Sequence, residues 1–211
     1  MNVAPKLRIW TLQALATLIA SAFAIDGATA TDLNTLLEDC TACHGKDGAS
    51  AESEIPIIGG YSAKYLSGSL TNYKNKARPC PQVKFHSGPH RGEAGDMCVV
   101  AGRLNDADIQ ALAGYFAAKR FVRAPQTVDA TKAQRGKQIQ EAQCKKCHED
   151  GGASADDDAG ILAGQWMPYI KHTLEEFGSG QRPLPKKMKP KFDALSNDDK
   201  EALVNYFGSF R

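Results

Sequence analysis

The chain has 211 residues, of which 42% are hydrophobic and 24% are charged. This composition is typical of a folded globular protein and excludes a wholly disordered chain. Its 26 lysine and arginine residues nearly balance its 24 aspartate and glutamate residues, for a formal net charge of +2. That balance argues against a nucleic-acid-binding protein, which usually carries a concentrated basic excess.

Residues 1–30 have the pattern of a secretory signal peptide. Lys6 and Arg8 form a short basic start, an uncharged and mostly apolar run follows over 9–25, and residues 28–30 fit a small-x-small cleavage site. The alternative is an uncleaved membrane anchor, but the apolar run is short for a span, which needs roughly 20 residues. We therefore expect a cleaved, periplasmic protein without stable membrane insertion, in an oxidising compartment.

The remaining sequence contains two copies of one unit. Cys40-x-x-Cys43-His44 and Cys144-x-x-Cys147-His148 lie 104 residues apart, and the same offset aligns further residues up to Pro79 and Pro183. A second offset, of 91 residues, aligns the two C-terminal tails, so the first copy carries a 13-residue insertion. We predict a first domain over 31–124, with the insertion within 80–96, and a second domain over 125–211.

Each copy has a helical pattern. In chain order, the first copy predicts helices at 32–39, around Tyr65 to Tyr73, and behind an N-cap pattern at Asn105 and Asp108. The second copy predicts their equivalents at 131–143, around Tyr169 to Phe177, and behind Ser196 and Asp199. No alternating strand pattern is convincing. The expected fold is all-α, and a large apolar prosthetic group would complete the small core of each unit.

The C-x-x-C-H motifs identify that group as haem. Two thiols three positions apart on a helical turn can add to the two vinyl groups of haem, and the adjacent imidazole is then directed at the iron. The alternatives are a redox-active C-x-x-C pair, which needs no following histidine, and half of a zinc site, which would have to join two separate copies. We predict two covalently bound haem c groups, attached at Cys40, Cys43, Cys144 and Cys147, with His44 and His148 as iron ligands.

The repeat also predicts the second iron ligands. Met97 and Met188 occupy matched positions before an equivalent leucine and the capped C-terminal helix. A lone methionine is more often core filler, but two at matched positions favour His44/Met97 for haem 1 and His148/Met188 for haem 2. This ligation raises the reduction potential and leaves no open iron position, which favours electron transfer over catalysis at the iron.

Cys80 and Cys98 are the remaining cysteines, and an exported protein predicts a disulfide between them. One alternative is a Cys2His2 metal site with His86 and His90. Another is histidine or cysteine ligation of haem 1 in place of Met97.

Several charged residues are weaker candidates. Arg78 and Arg182, each followed by proline, are possible contacts of the haem propionates, the alternative being solvated helix ends. His172 has no equivalent in the first copy and is expected to be a surface residue. Four lysines surround Met188 and predict a positive rim that steers an acidic redox partner, unless they form an ordinary solvated face: Lys186, Lys187, Lys189 and Lys191.

The motif at 40–48, the Gly60-x-x-x-x-Tyr65-Leu66 segment and a methionine before a capped helix resemble class I cytochromes c. The tandem arrangement is similar to di-haem cytochromes of the c4 type. Residues 161–169, with Arg182-Pro183 and Lys186-Lys187-Met188, resemble the di-haem cytochrome subunit of flavocytochrome c sulfide dehydrogenase. The insertion departs from the simplest family pattern.

The resemblance implies two tandem class I cytochrome c domains, each wrapped around one covalent haem c. It implies a role as the electron-transfer subunit of a sulfide-oxidising enzyme, with an FAD-containing flavoprotein as partner and a small cytochrome c as acceptor. The chain has no G-x-G-x-x-G fingerprint and is not expected to bind FAD or to be catalytic alone. The alternative is a free periplasmic di-haem carrier feeding a terminal oxidase. A third reading, a di-haem enzyme acting directly on sulfur compounds, would need an open or thiolate-ligated haem.

Overall fold

The computed structural model describes Met1 and residues 31–211, so the predicted signal peptide and its cleavage site lie outside the described residues. The first copy, termed here the first unit (31–124), contains α1 (Leu33–His44), α2 (Ala63–Lys74), α3 (Met97–Gly102) and α4 (Asp106–Ala117). The second unit (125–211) contains α5 (Ala130–Ile139), α6 (Met167–Gly178), α7 (Lys189–Asp193) and α8 (Asn197–Gly208). The predicted helices are therefore confirmed in both units.

The C-terminal helix of each unit begins at a capping box. The Asn105 side chain accepts a hydrogen bond from the backbone N–H of Asp108, whose carboxylate accepts one from the backbone N–H of Asn105. Ser196 and Asp199 make the same reciprocal pair at α8. These bonds satisfy N–H groups that a helix start leaves without partners, which is why both helices begin where the cap pattern predicts.

The insertion folds into a small hairpin that the sequence did not predict. β1 (Val83–Lys84) pairs antiparallel with β2 (Ala94–Gly95), with Val83 opposite Gly95. The backbone N–H of His86 donates to the carbonyl of Ala42 over 3.0 Å, which fastens the hairpin to α1. Two-residue strands carry too little alternation to be read from sequence.

The two hydrophobic cores are separate but not independent. The first comprises residues of α2 and α4 together with Tyr61, Leu104 and, from the second unit, Ile161. The second forms around Ile170 and three α8 residues, Leu203, Val204 and Phe207. Within the described residues, no helix is long and apolar enough to cross a membrane.

Gly136 allows α5 and α8 to cross at close range. A Cβ added at this position would collide with the carbonyl of Ala202 and lie 2.7 Å from the Cβ of Tyr206. The collision is with backbone, which cannot rotate away.

We expect Gly136→Ala to lower the free energy of unfolding by about 1–3 kcal/mol, because overpacking outweighs the gain in helix propensity. Gly114→Ala in α4 is the matched control, since nothing lies within 4 Å of its added Cβ. It should leave stability unchanged or raise it by up to about 1 kcal/mol. Urea titration of both holoproteins compares them, and equal effects of the two substitutions would contradict the close crossing.

Candidate haem sites and the junction between them

A cavity of the first unit brings together the predicted haem 1 residues. Cys40, Cys43 and His44 lie on the last turn of α1 and line this cavity, as does Met97 at the start of α3. The rest of its wall is largely apolar and includes Ile55, Ile58, Leu66, Leu70, Val100, Leu112 and Phe116. Thiols, an imidazole and a thioether thus surround one apolar space. We name it the first cavity.

A hydrogen bond orients the ring of His44. His44 is buried, and its Nδ1 lies 2.9 Å from the carbonyl oxygen of Pro56. With Nδ1–H donating to that carbonyl, Nε2 keeps its lone pair, the arrangement that ligating histidines adopt. Burial lowers the pKa of His44 against the opposing effect of the Pro56 hydrogen bond. α1 ends directly after His44 because Gly45 adopts φ 73°, a conformation that favours glycine.

The thiols lack the character of a redox-active pair. Burial, with the charges of Asp39 and Cys43, raises the pKa of Cys40 to about 12. Burial also raises the pKa of Cys43. Catalytic C-x-x-C motifs have a thiol pKa below the ordinary value, so these two thiols differ from such a pair.

The insertion forms one wall of the first cavity. Cys80 and Cys98 are joined in a disulfide with their Cα atoms 5.8 Å apart, so Met97 stands directly beside the crosslink. Pro81, Val83 and Phe85 of the insertion line the cavity. The disulfide leaves Cys98 no free thiolate for the iron.

The alternative Cys2His2 site does not assemble. Within the described residues the metal-like cluster is Cys80, Asp96 and Cys98, without either histidine. His86 instead faces Glu52 at 3.5 Å, and His90 faces Glu93 at 3.0 Å. The zinc-type alternative is therefore wrong for this arrangement.

The second motif is less regular than the first. α5 gives way to a π-helical turn at Gln140–Cys144, and the buried Gln140 side chain donates to the carbonyl of His148 over 2.7 Å. Cys144, His148 and Met188 are partly buried, whereas Cys147 is exposed. Burial raises the pKa of Cys144 while the charge of Lys191 opposes that shift. α7, which follows Met188, therefore lies near the attachment cysteine.

No carbonyl in the described part of the chain accepts a hydrogen bond from the His148 ring. The repeat places Gly160 where the first unit has Pro56. Burial lowers the pKa of His148 and the charge of Asp157 opposes that shift. The predicted His148/Met188 ligand pair remains a proposal.

Arg78 and Arg182 lie at the junction of the two units. The guanidinium of Arg78 stacks over Tyr73 at 4.3 Å, and that of Arg182 over the equivalent Phe177 at 4.7 Å. Burial raises the pKa of Tyr169, but the charges of both arginines lower it and prevail, so all three groups meet at the junction.

One nitrogen of each arginine is buried without a hydrogen-bond partner: Nε of Arg78 and Nη1 of Arg182. A buried cation with an open donor needs an anion. The propionates of a haem would supply such anions, so these arginines fit the group, and Arg78 also lines the first cavity. Arg78 is 8% exposed, which argues against the alternative of a solvated helix end.

Gln165 fastens the two units together. It is fully buried, and its Oε1 accepts a hydrogen bond from Ile57 N–H over 3.0 Å. Its Nε2 donates to the carbonyl of Ile57 over 2.8 Å and to the Tyr61 hydroxyl over 2.7 Å. Trp166 Nε1 donates to the carbonyl of Ser50 over 3.0 Å. The tryptophan-containing segment is therefore an internal junction, a role that sequence reasoning missed.

α6 of the second unit closes one side of the first cavity. Tyr169, His172, Thr173 and Glu176 line this side. His172, predicted to be a surface residue, is half-exposed and also faces the cavity.

The four lysines around Met188 are exposed, and Lys189 pairs with Asp193 at 2.8 Å.

Two stretches of the chain match known families. Residues 30–118 match the family described as cytochrome c, and residues 131–207 match cytochrome c oxidase, cbb3-type, subunit III. Cytochrome c4 of Azotobacter vinelandii is 28% identical over 79% of this chain and 82% of its own length. Cytochrome c-554(548) of Halomonas halodenitrificans is 32% identical over 38% of this chain and 83% of its own length.

Solved structures share the fold. Reduced cytochrome c4 from Pseudomonas stutzeri superposes with a TM-score of 0.67 at 25% identity, covering 86% of this chain and all of that one. The thiosulfate dehydrogenase TsdBA from Marichromatium purpuratum gives a TM-score of 0.62 at 27% identity, covering 81% of this chain but 36% of that one. The whole described chain thus has the shape of a tandem di-haem cytochrome.

We expect Gln165→Ala to lower the free energy of unfolding by at least about 3 kcal/mol, because three buried polar groups lose their partner at roughly 1–3 kcal/mol each. Gln138→Ala on the exposed face of α5 is the control and should stay within about 0.5 kcal/mol. Calorimetry of the holoprotein measures both. Separate melting of the two units in Gln165→Ala alone is expected as well, and one unchanged transition would refute the fastening role.

Met97→Ala and Met188→Ala should each remove half of the methionine–iron charge-transfer absorbance of the oxidised protein while both haems stay covalently attached. The third internal methionine, Met167, packs against Gly208 outside the first cavity, so Met167→Leu should keep the full band. Visible spectroscopy with haem staining of denatured protein checks this. A full band in Met97→Ala would show that another residue ligates haem 1.

Proposed function

Since the chain belongs to the cytochrome c family, with two haem c groups in tandem domains of the c4 type, we propose that it carries electrons from a flavoprotein donor to a small c-type cytochrome. The haems supply reversible one-electron chemistry, which matches a two-electron flavin to a one-electron acceptor. The chain's own residues hold and orient them. Within an oxidoreductase, the role of this chain is to transfer electrons.

The arginine–tyrosine contacts between the two units are the observation that supports electron transfer between two haems. Arg182 Nη2 donates to the hydroxyl of Tyr65 over 3.5 Å, and the charge of Arg78 acts on Tyr169, so each unit's arginine meets the tyrosine of the other. Tyr65 and Tyr169 are equivalent in the repeat, as are Arg78 and Arg182. In this proposal the two arginines would hold the haem propionates at the junction, and electrons would pass between the units there.

The flavoprotein donor, with sulfide as its substrate, is supported by the sequence resemblance at 161–169 and 182–188. Gln165 and Trp166 of the first segment are used internally, which leaves 182–188, beside the second site, as the surface that carries the resemblance. The exposed lysines of that surface suit an acidic partner. In this proposal Cys40, Cys43, Cys144 and Cys147 attach the haems, and no residue of the chain acts on sulfide.

The second candidate is a free carrier feeding a terminal oxidase. The similarity to cytochrome c4 over four-fifths of both chains favours it. A permanent subunit would expose an apolar patch. Apart from Met1, Val99 and Val122 are the exposed large hydrophobic side chains of the described residues, and they belong to separate segments. The similarity to thiosulfate dehydrogenase supports, as an alternative, a different sulfur-oxidising donor.

A periplasmic location is part of the proposal. It is supported by the N-terminal sequence pattern, by attachment motifs that are loaded outside the cytoplasm, and by the Cys80–Cys98 disulfide, which an oxidising compartment preserves.

Purification of the untagged protein from the exported fraction tests the donor. Size-exclusion chromatography with full spectra should show co-elution with a flavin-containing protein whose absorbance bleaches on addition of sulfide while the haems become reduced. Elution alone, with haem absorbance and no response to sulfide, would establish the free carrier. Reduction by thiosulfate in place of sulfide would assign the other class of donor.

Charge reversal tests the lysine surface. We expect Lys186→Glu with Lys187→Glu to slow electron transfer with an acidic redox partner by about tenfold or more at low salt and to flatten its ionic-strength dependence. The double variant Lys76→Glu with Lys84→Glu changes exposed charges of the first unit by the same amount and should change the rate little. Stopped-flow absorbance measures the rates, and equal effects of the two pairs would assign the steering to net charge alone.

A further inference from the structure

α6 belongs to the second unit but presents a polar stripe to the first cavity. Tyr169, His172, Thr173 and Glu176 follow the i, i+3, i+4, i+7 spacing of one helix face, and all four line this cavity. Tyr169 is used at the junction with the arginines. His172 and Glu176 have no part in attaching or ligating the haem.

Glu176 is a buried carboxylate with one ionisable partner. It is 5% exposed, and its Oε1 lies 3.2 Å from Nε2 of His172, whose side chain is 49% exposed. The pair therefore spans from the buried wall of the cavity to solvent. A buried carboxylate costs free energy unless it is paired or protonated, so the charge of this pair is sensitive to any charge that changes in the cavity.

The groups that face the pair come from three parts of the chain. Burial raises the pKa of Tyr73 on α2 to about 12, and the charge of Glu176 adds a smaller effect in the same direction. The backbone N–H of Arg182 donates to the carbonyl of Glu176 over 3.1 Å. The other charged and titratable groups on this side of the cavity are Tyr65 and Tyr73 of α2, Arg78 after it, Tyr169 on α6, and Arg182 beyond α6. Asp39 and Glu54 line the same cavity from the first unit.

The first unit has no equivalent of this His172–Glu176 pair. The offset of 104 residues places Gly68 and Asn72 of α2 opposite His172 and Glu176. Asn72 is exposed, and nothing lies within 4 Å of a Cβ added at Gly68. Nothing at these positions of α2 offers the second haem an ionisable pair. The buried acid is therefore present on α6 and has no equivalent at the matching position of α2.

We propose that His172 and Glu176 form a proton-binding site linked to the reduction of haem 1 alone. Reduction adds one electron, so the cavity loses one positive charge, and the pair then takes up one proton from solvent through the half-exposed His172. Oxidation returns the electron to the acceptor and the proton to solvent, and no bond at the iron is made or broken. Without that proton the pair carries the net negative charge of Glu176, which favours the oxidised state of haem 1 and directs electrons towards haem 2.

Spectroelectrochemical titration of the holoprotein from pH 5.5 to 8.5 tests this site without any partner protein. Haem-methyl NMR signals, assigned with Met97→Ala, follow each haem separately. The haem 1 potential should fall as pH rises. Glu176→Gln, which keeps the shape and removes the charge, should raise this potential, remove its pH dependence and shift the electron distribution towards haem 1 by about tenfold, within the usual range of site coupling.

The matched control is Glu175→Gln, which removes the adjacent exposed carboxylate of α6, a residue outside the first cavity. It should leave both potentials and their pH dependence unchanged. His172→Gln should leave haem 1 with a weaker pH dependence and slower proton uptake after flash reduction. The proposal is overturned if Glu176→Gln keeps the pH dependence, if Glu175→Gln has an equal effect, or if haem 2 responds as strongly as haem 1. Because no donor or acceptor takes part, failure here leaves the proposed partners untouched.

Discussion

The buried amide of Gln165 is the interaction on which the rest of the arrangement depends. It satisfies both backbone polar groups of Ile57 and the hydroxyl of Tyr61, so two small units are held in one relative position. Each of these groups is buried and would be costly without a partner. That fixed position brings Arg78 and Arg182 together and turns one face of α6 into the first cavity. A di-haem relay needs this rigidity because the distance between its two sites must not vary.

The two units share the same order of helices but differ in the surroundings of their haem motifs. The first has a helix that runs through its motif, a carbonyl that orients His44, and a disulfide-closed insertion beside Met97. The second has a π-helical turn before Cys144, exposed Cys147 and a lysine-rich surface near Met188. The first site is the more enclosed, and the second is the more open to a charged partner. Electrons that enter at one unit and leave at the other would use this difference.

In the proposed arrangement, electrostatics at the junction would separate two haems that carry the same predicted ligands. The two arginines, each with an unpartnered buried nitrogen, would hold propionates at the junction, whereas the carboxylate of Glu176 lines the first cavity. Ligand identity sets the broad range of potential, and nearby charges then adjust it. A direction of electron flow can therefore arise within a chain whose two halves are copies of each other.

The sequence by itself determined the repeat, the two attachment motifs, the capped helices and the matched methionines, because each is a local pattern of spacing or residue type. The capping boxes at Asn105 and Ser196 formed where their sequence pattern placed them, since caps involve residues only three positions apart. Only the tertiary structure decided that the segment containing Trp166 joins the units, that His86 and His90 stay away from the disulfide, and that His172 and Glu176 face the cavity of the other unit. These relations link residues that are distant in the chain, and they depend on how two folded surfaces meet, which no local pattern encodes.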